Sequence, residues 1–223
     1  MKVMQEMDFD VLMNRMNGKL EEMGYPLPSV SLIALEDNDP YRILIATILS
    51  LRTKDKVTME TSQRLFAIAK DFKELEELSE ETIAEAIRPS AFFNRKAVQL
   101  KTIAHTVNTE YNGKLPCDMD ALMALPGVGI KTASLVLNLG FDTDAICVDC
   151  HVHQIVNRLG LVNTNTPEET EREMRKFLPR RFWIPLNETL VRYGQAVCTP
   201  ISPFCSTCAV SDMCPKKGIE KSR

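Results

Sequence analysis

The chain contains no run of 18 or more apolar residues, so no stretch of it is read as a membrane-spanning helix. Its first residues, Met1-Lys-Val-Met-Gln-Glu-Met-Asp8, carry acids early and hold no apolar block. A secretory leader is therefore not expected, and a cytoplasmic protein is. No segment sustains the two-residue alternation of a half-buried strand, which excludes a sheet of ordinary kind. No internal repeat is evident, which excludes a solenoid. Nor is there a basic surplus: 27 Lys and Arg against 30 Asp and Glu give a net charge of -3. A generic nucleic-acid binder carries the opposite balance, so any such face here has to be local. Three stretches offer one: Arg52 to Lys56, Arg95-Lys96, and Lys216-Lys217 with Lys221 and Arg223.

What remains is an all-α chain. At 223 residues and 44% apolar content it can bury one large core or two small ones. Residues 1–23 show an apolar stripe of Met4, Met7, Phe9, Leu12, Met13 and Met16, the methionines reading as core filler. Gly24-Tyr-Pro-Leu-Pro28 breaks that helix and reads as a linker. Asp39 to Ser50 is apolar nearly all round, which suits a buried central helix. Further helices are predicted from about Asp55 to Lys70, from a Ser79 N-cap to before Pro89, and over 95–111. Asp118 caps a short helix ending at Leu125, and Ile130–Leu139 forms another, with Gly140 as its expected C-cap. Asp149 caps the next, which ends at Gly160; Thr166-Pro-Glu-Glu169 is a capping box; a last helix spans Leu186 to Val197.

Three constellations carry chemistry. In Leu125-Pro-Gly-Val-Gly-Ile-Lys131, Gly127 and Gly129 make a tight turn with bare amides feeding a helix N-terminus, an anion site by construction. Lys131 stands in the first turn, where the helix dipole favours acids; that field favours the neutral, nucleophilic amine. Asp149, 18 residues on, is close enough in sequence for a helix, a turn and a helix start to bring it to the lysine and steer a proton. The bland readings are a solvated lysine and an ordinary N-cap aspartate, and on residue chemistry alone they carry more weight. Second, Cys198, Cys205, Cys208 and Cys214 fall within the last 26 residues at spacings of 6, 2 and 5. Thiols gathered in one loop-rich segment of a reducing compartment form a metal or cluster site, and spacing leaves zinc and [4Fe–4S] both open. Third, Cys147-Val-Asp-Cys150-His151 has the spacing of c-type haem attachment, which needs export; buried thiols and a structural histidine are the expectation instead.

Taken together these motifs resemble the endonuclease III family of DNA glycosylases. Leu125–Ala133 is similar to its helix-hairpin-helix, Val148-Asp-Cys-His151 to its Val-Asp-x-His segment, Ile48–Asp55 to a segment near the DNA, and the cysteine spacing to its iron–sulfur loop. The resemblance covers roughly residues 30–215. It implies two helical domains: a six-helix barrel with the hairpin over 33–143, and an iron–sulfur domain built from both termini, 1–32 and 144–223. It also implies a monomer acting on double-stranded damaged DNA.

By the same resemblance Lys131 is the nucleophile that attacks C1′ of an oxidised pyrimidine nucleotide, forms a Schiff base and permits β-elimination, with Asp149 its working partner. Gly127, Val128 and Gly129 hold backbone phosphate; Arg52 faces the opposite strand; Phe92, in Ser90-Ala-Phe92, is the wedge that fills the vacated stack; His151 belongs to the DNA-binding set. Cys198, Cys205, Cys208 and Cys214 hold a [4Fe–4S] cluster. The chain departs from the pattern at Arg52, where many members carry glutamine, at Ile130, where a basic residue is common, and at Cys150, where threonine is common. Two alternatives accompany this reading: a non-catalytic cluster-bearing DNA-binding module, and a mismatch-directed glycosylase of the same superfamily. Relatives of the mismatch type lack the lysine or carry tyrosine there, so Lys131 favours the lyase.

Overall fold

Helix initiation in this chain is marked mostly by short polar side chains. In the computed structural model, which describes residues 7–223, Asp8, Asp39, Asp71, Ser79, Asp118, Asp149 and Thr166 each accept a backbone N–H at a helix start. Each satisfies a donor that the first turn leaves unpaired. No strand occurs among the described residues, and Met4 of the predicted N-terminal stripe lies outside them.

The helices fall into two units. One comprises the described residues up to Leu27 with Ile146–Arg223, the other Pro28–Ala145. These divisions lie at 27/28 and 145/146, where 32/33 and 143/144 were expected. The reason is a helix with no local start signal, α2 (Ser29–Glu36), whose Val30 and Ile33 join the core of the second unit, as does Ala145. Its N-cap is Pro28, which offers no side-chain acceptor. The first amide is satisfied from a distance, by Asp55 Oδ1 at 2.9 Å.

The Pro28–Ala145 unit is organised around α3 (Pro40–Ser50). Six of its side chains, Ile43, Leu44, Ile45, Ala46, Ile48 and Leu49, are fully buried. Around it pack α2, α4 (Asp55–Ile68), α7 (Phe93–Glu110) and α9 (Ile130–Phe141). The short helices α5 (Phe72–Glu77) and α6 (Glu80–Ala86) lie on α7, and α8 (Met119–Ala124) lies on α9. Truncating any of the large α3 side chains to alanine costs about 2–5 kcal/mol by the usual cavity penalty. Gly140 does not end α9 as expected. The helix runs two residues further, and Asp142 takes the left-handed position at φ 48°. Gly140 serves packing instead: a Cβ there would lie 3.1 Å from Pro40 Cα, so α9 and the first turn of α3 meet almost at backbone distance.

The other unit packs α1 (Phe9–Glu22) and α10 (Cys150–Arg158) against α12 (Pro185–Ala196), with α11 (Pro167–Met174) beside α10 and a 3-10 turn at Arg180–Phe182. Leu12, Met13, Met16 and Leu20 of α1 are buried, so the methionine stripe is core, as expected. Thr189 Oγ1 donates to Asn17 Oδ1 at 2.9 Å, tying α12 to α1. Beyond α12 the chain is irregular and holds the four cysteines.

Candidate active site

The glycine turn is built as the sequence requires, for two separate reasons. Gly127 sits at φ 69°, a left-handed conformation costly to other residues. Its missing side chain also makes room: a Cβ would stand 2.6 Å from Gln99 Nε2. That amide donates to Pro126 O at 2.9 Å and pins the turn to α7. Val128 is buried and anchors the turn from below, its amide donating to Leu125 O at 3.1 Å, while Gly127 and Gly129 are exposed. Gly129 is the N-cap of α9 and supplies no side-chain acceptor to the first-turn amides. Lys131 follows, half-buried, in that first turn.

Asp149 begins α10 in the opposite manner. Its Oδ1 accepts from the amides of His151 and Val152, both at 2.9 Å, and its Oδ2 lies 3.3 Å from His151 Nδ1. The carboxylate is 7% exposed. Hydrogen bonds to Asp149 and then Cys150, opposed by burial, push His151 up to about 10, which favours the cationic imidazole at neutral pH. Asp149, Cys150 and His151 bring three ligand atoms within 4.8 Å of one another. Both carboxylate oxygens already serve the helix start and the imidazole, and the trio reads as a hydrogen-bonded pair with a thiol alongside. Cys147 is buried, but Cys150 is exposed, against the expectation of two buried thiols. Position 150 is the first residue of α10, which turns its side chain outward.

Sequence reasoning passed over a residue on which His151 depends. Gly194 lies inside α12, and a Cβ there would come within 2.6 Å of His151 Cδ2. Only glycine lets the imidazole lie against that helix. A glycine in mid-helix costs roughly 1 kcal/mol in propensity, which is the one signal that pointed to it.

Arg52 and Phe92 are brought together, both within the Pro28–Ala145 unit. Phe92 is 60% exposed, and the Arg52 guanidinium carbon lies 5.9 Å from its ring centroid. Both are non-glycine residues in the left-handed region, at φ 56° and 58°. Phe93 turns inward against the core, with the Arg88 guanidinium over its ring.

The four cysteines line one cavity closed by Val197, Pro203 and Phe204, and none is in a disulfide. Polar donors are aimed at their sulfurs. Arg158 Nη1 lies 3.3 Å from Cys198 Sγ, the Tyr193 hydroxyl 3.3 Å from Cys208 Sγ, and the Lys216 amide donates to Cys214 Sγ at 3.4 Å. Burial pushes the Cys198 and Cys214 thiols up. Four convergent thiols with N–H donors from Arg158 and Lys216 beside them suit a soft metal or an iron–sulfur cluster and fit neither Mg²⁺ nor Ca²⁺.

Residues 45–180 match the family of HhH-GPD superfamily base excision DNA repair proteins. Endonuclease III of Thermotoga maritima is 40% identical over 179 residues, covering 80% of this chain and 84% of that protein. The chloroplastic endonuclease III homologue 2 of Arabidopsis thaliana is 40% identical over 184 residues, and the chain spans 48% of its length. A solved structure of a trapped endonuclease III–DNA covalent intermediate superposes with a TM-score of 0.76 at 30% identity, covering 80% of this chain and 84% of that one. A thermostable thymine-DNA glycosylase superposes with a TM-score of 0.81 at 26% identity, covering 93% and 95%. With its family model matched over more than half the chain and a 40% identical relative covered over most of its length, this chain belongs to the endonuclease III family of the HhH-GPD superfamily.

Proposed function

We propose that the protein is a bifunctional DNA glycosylase and AP lyase of base excision repair that removes oxidised pyrimidines of the thymine glycol type. One observation carries the reading: a lysine in the first turn of a helix whose N-terminal amides have no side-chain cap, behind an exposed glycine turn. A phosphate docked on the Gly127 and Gly129 amides would bring a sugar to that lysine without reading sequence, while Val128, expected to share that role, instead closes the turn by donating its amide to Leu125 O at 3.1 Å. The damaged nucleotide is flipped out first, at a cost of a few kcal/mol that is lowest where damage has weakened stacking. Phe92 fills the gap left in the stack and Arg52 faces the opposite strand. The Lys131 Nζ lone pair attacks C1′, and the C1′–N bond breaks with its electron pair leaving on the base, which takes up a proton. Asp149 accepts the proton shed by the lysine nitrogen as the sugar ring opens to the Schiff base. Loss of a C2′ proton then expels the 3′ phosphate, nicking the strand. His151 would contact the backbone as a hydrogen-bond donor, its charge being offset by Asp149.

Cys198, Cys205, Cys208 and Cys214 would hold a [4Fe–4S] cluster, which supplies a structural cross-link for the irregular C-terminal segment. It stands apart from the bond-breaking steps. A broad visible absorbance that bleaches on oxidation separates this cluster from colourless zinc. The protein acts as a monomer wherever the cell keeps its DNA, the nucleoid in a prokaryote. No helix among the described residues is long and apolar enough to cross a membrane.

Borohydride reduction on duplexes carrying thymine glycol or an abasic site tests the reading. A covalent protein–DNA adduct is expected, and Lys131→Ala is expected to lose it together with strand cleavage. An adduct that survives unchanged in Lys131→Ala would remove the nucleophile assignment. The superposition on a thymine-DNA glycosylase supports a second reading, mismatch-directed base removal. Release of thymine from a G·T duplex, with no release of thymine glycol, would favour it.

A further inference from the structure

The Arg95-Lys96 pair offers two cations to a DNA face, yet the fold buries one of them. Lys96, on α7, is 5% exposed. Its Nζ donates to Leu49 O at 2.7 Å, to Leu51 O at 2.9 Å and to Thr53 Oγ1 at 3.1 Å. An ammonium has three donors, and all three are used. None of the acceptors is a carboxylate, so the charge is held by dipoles alone; burial pushes the amine down to about 8. Leu49 and Leu51 lie at the C-terminal end of α3, where carbonyls lose their helical partners and a cation is favoured.

The third acceptor gives the arrangement its reach. Thr53 Oγ1 also accepts the Ala91 amide at 3.1 Å. One hydroxyl thus joins the segment after α3 to the segment before α7, with Lys96 beneath both. Immediately beside this junction stand the two strained residues, Arg52 next to Thr53 and Phe92 next to Ala91. A left-handed conformation is strained for a non-glycine residue, and it persists where neighbouring contacts over-determine it.

We propose that Lys96 is a positioning residue that, through Thr53, holds the Arg52 and Phe92 segments in the left-handed geometry that presents both side chains to duplex DNA. The proposal rests on the reading of those two residues as DNA contacts given above. It explains why a charge is kept in an apolar core: methionine would fill the volume but satisfy neither the carbonyls nor Thr53.

Binding to duplexes carrying a tetrahydrofuran abasic analogue opposite each of the four bases tests this. The proteins needed are wild type, Lys96→Met, Thr53→Val, Arg52→Ala, Phe92→Ala and the Lys96→Met/Arg52→Ala double, with the melting temperature of each. Lys96→Met is expected to weaken duplex binding about tenfold and to flatten the preference among opposite bases. The double variant is expected to bind about threefold more weakly than Arg52→Ala, the share of the loss that runs through Phe92, and clearly short of the full tenfold. Borohydride trapping on a single-stranded abasic oligonucleotide, which has no opposite strand to engage, is expected to stay within about threefold of wild type. Thr53→Val keeps the shape and is expected to reproduce the effect in smaller size, so the proposal remains exposed if Lys96→Met fails to fold. Folded Lys96→Met and Thr53→Val proteins with wild-type duplex affinity would overturn it, as would losses that multiply in full in the double variant. If Arg52→Ala and Phe92→Ala each bind duplex as wild type does, the DNA-contact reading of the two segments falls, and this proposal with it.

Discussion

Two helix starts in this molecule solve the same problem in opposite ways. At α10, Asp149 spends one oxygen on two amides and turns the other to His151, so the N-terminus is closed by the protein's own carboxylate. At α9, Gly129 provides no acceptor, and the first-turn amides sit behind an exposed turn. An unpaired amide that reaches water costs little, whereas one buried away from it costs a lost hydrogen bond. A start without a side-chain cap is therefore tolerable at the surface, and under the function proposed above it is where a phosphate would dock. The difference separates a helix end that fixes a side chain from one that the proposed function leaves for a ligand.

The comparison can be broken most severely at Asp149. Asparagine caps a helix as well as aspartate does but cannot take up a proton in the same way. Asp149→Asn is expected to lower base release and strand cleavage about 10³-fold, and to lower the melting temperature by several degrees because the His151 cation loses its carboxylate partner, so rates are compared well below that temperature. Rates within a few-fold of wild type would show that the carboxylate is only a cap. Next comes Gly127→Ala, which forces alanine into φ 69° and drives Gln99 from Pro126. Left-handed strain and one lost hydrogen bond together come to about 2 kcal/mol, or roughly 4–8 °C in melting temperature for a chain of this size. An unchanged melting curve would mean the turn relaxes into another shape. The smallest change in stability sharpens the contrast furthest. Gly129→Asp makes the open start resemble the closed one, and there is space for it, since nothing lies within 4 Å of a Cβ at that position. Stability is expected to rise by a few tenths of a kcal/mol, while duplex binding weakens about tenfold as the new carboxylate takes the amides and repels phosphate. Binding that is unaffected would show that the phosphate docks elsewhere.

Much of this was legible from residue order because the signals are local. Asp118, Asp149 and Thr166 announce their helices within three residues of the amides they cap, and Gly127 and Gly129 stand beside Lys131 in the chain. Where the cause is distant, the reading failed. The start of α2 is satisfied by Asp55, 26 residues away, and nothing near Pro28 records it. Short α5 is held by Phe72 and Leu75 in the core rather than by length or periodicity. Gly140 looked like a helix terminator because glycine often is one, but its partner is Pro40, a hundred residues earlier. Lys96 looked like surface charge beside Arg95, and only the tertiary fold supplies the carbonyls that draw it inward. Gly194 is explained by an imidazole on another helix.

Gly140 has a mechanical meaning as well. It touches α3 near the far end of the same helix that carries Lys131, nine residues and about 14 Å of helical rise away. The contact fixes one end of the helix, and any change there is multiplied along its length. A side chain wedged in at Gly140 that tilted α9 by only roughly 4° would carry the lysine about 1 Å, a displacement large enough to cost on the order of a hundredfold in rate. If Lys131 is the nucleophile proposed above, its accuracy is set at the opposite end of its helix, at a glycine that lies against Pro40.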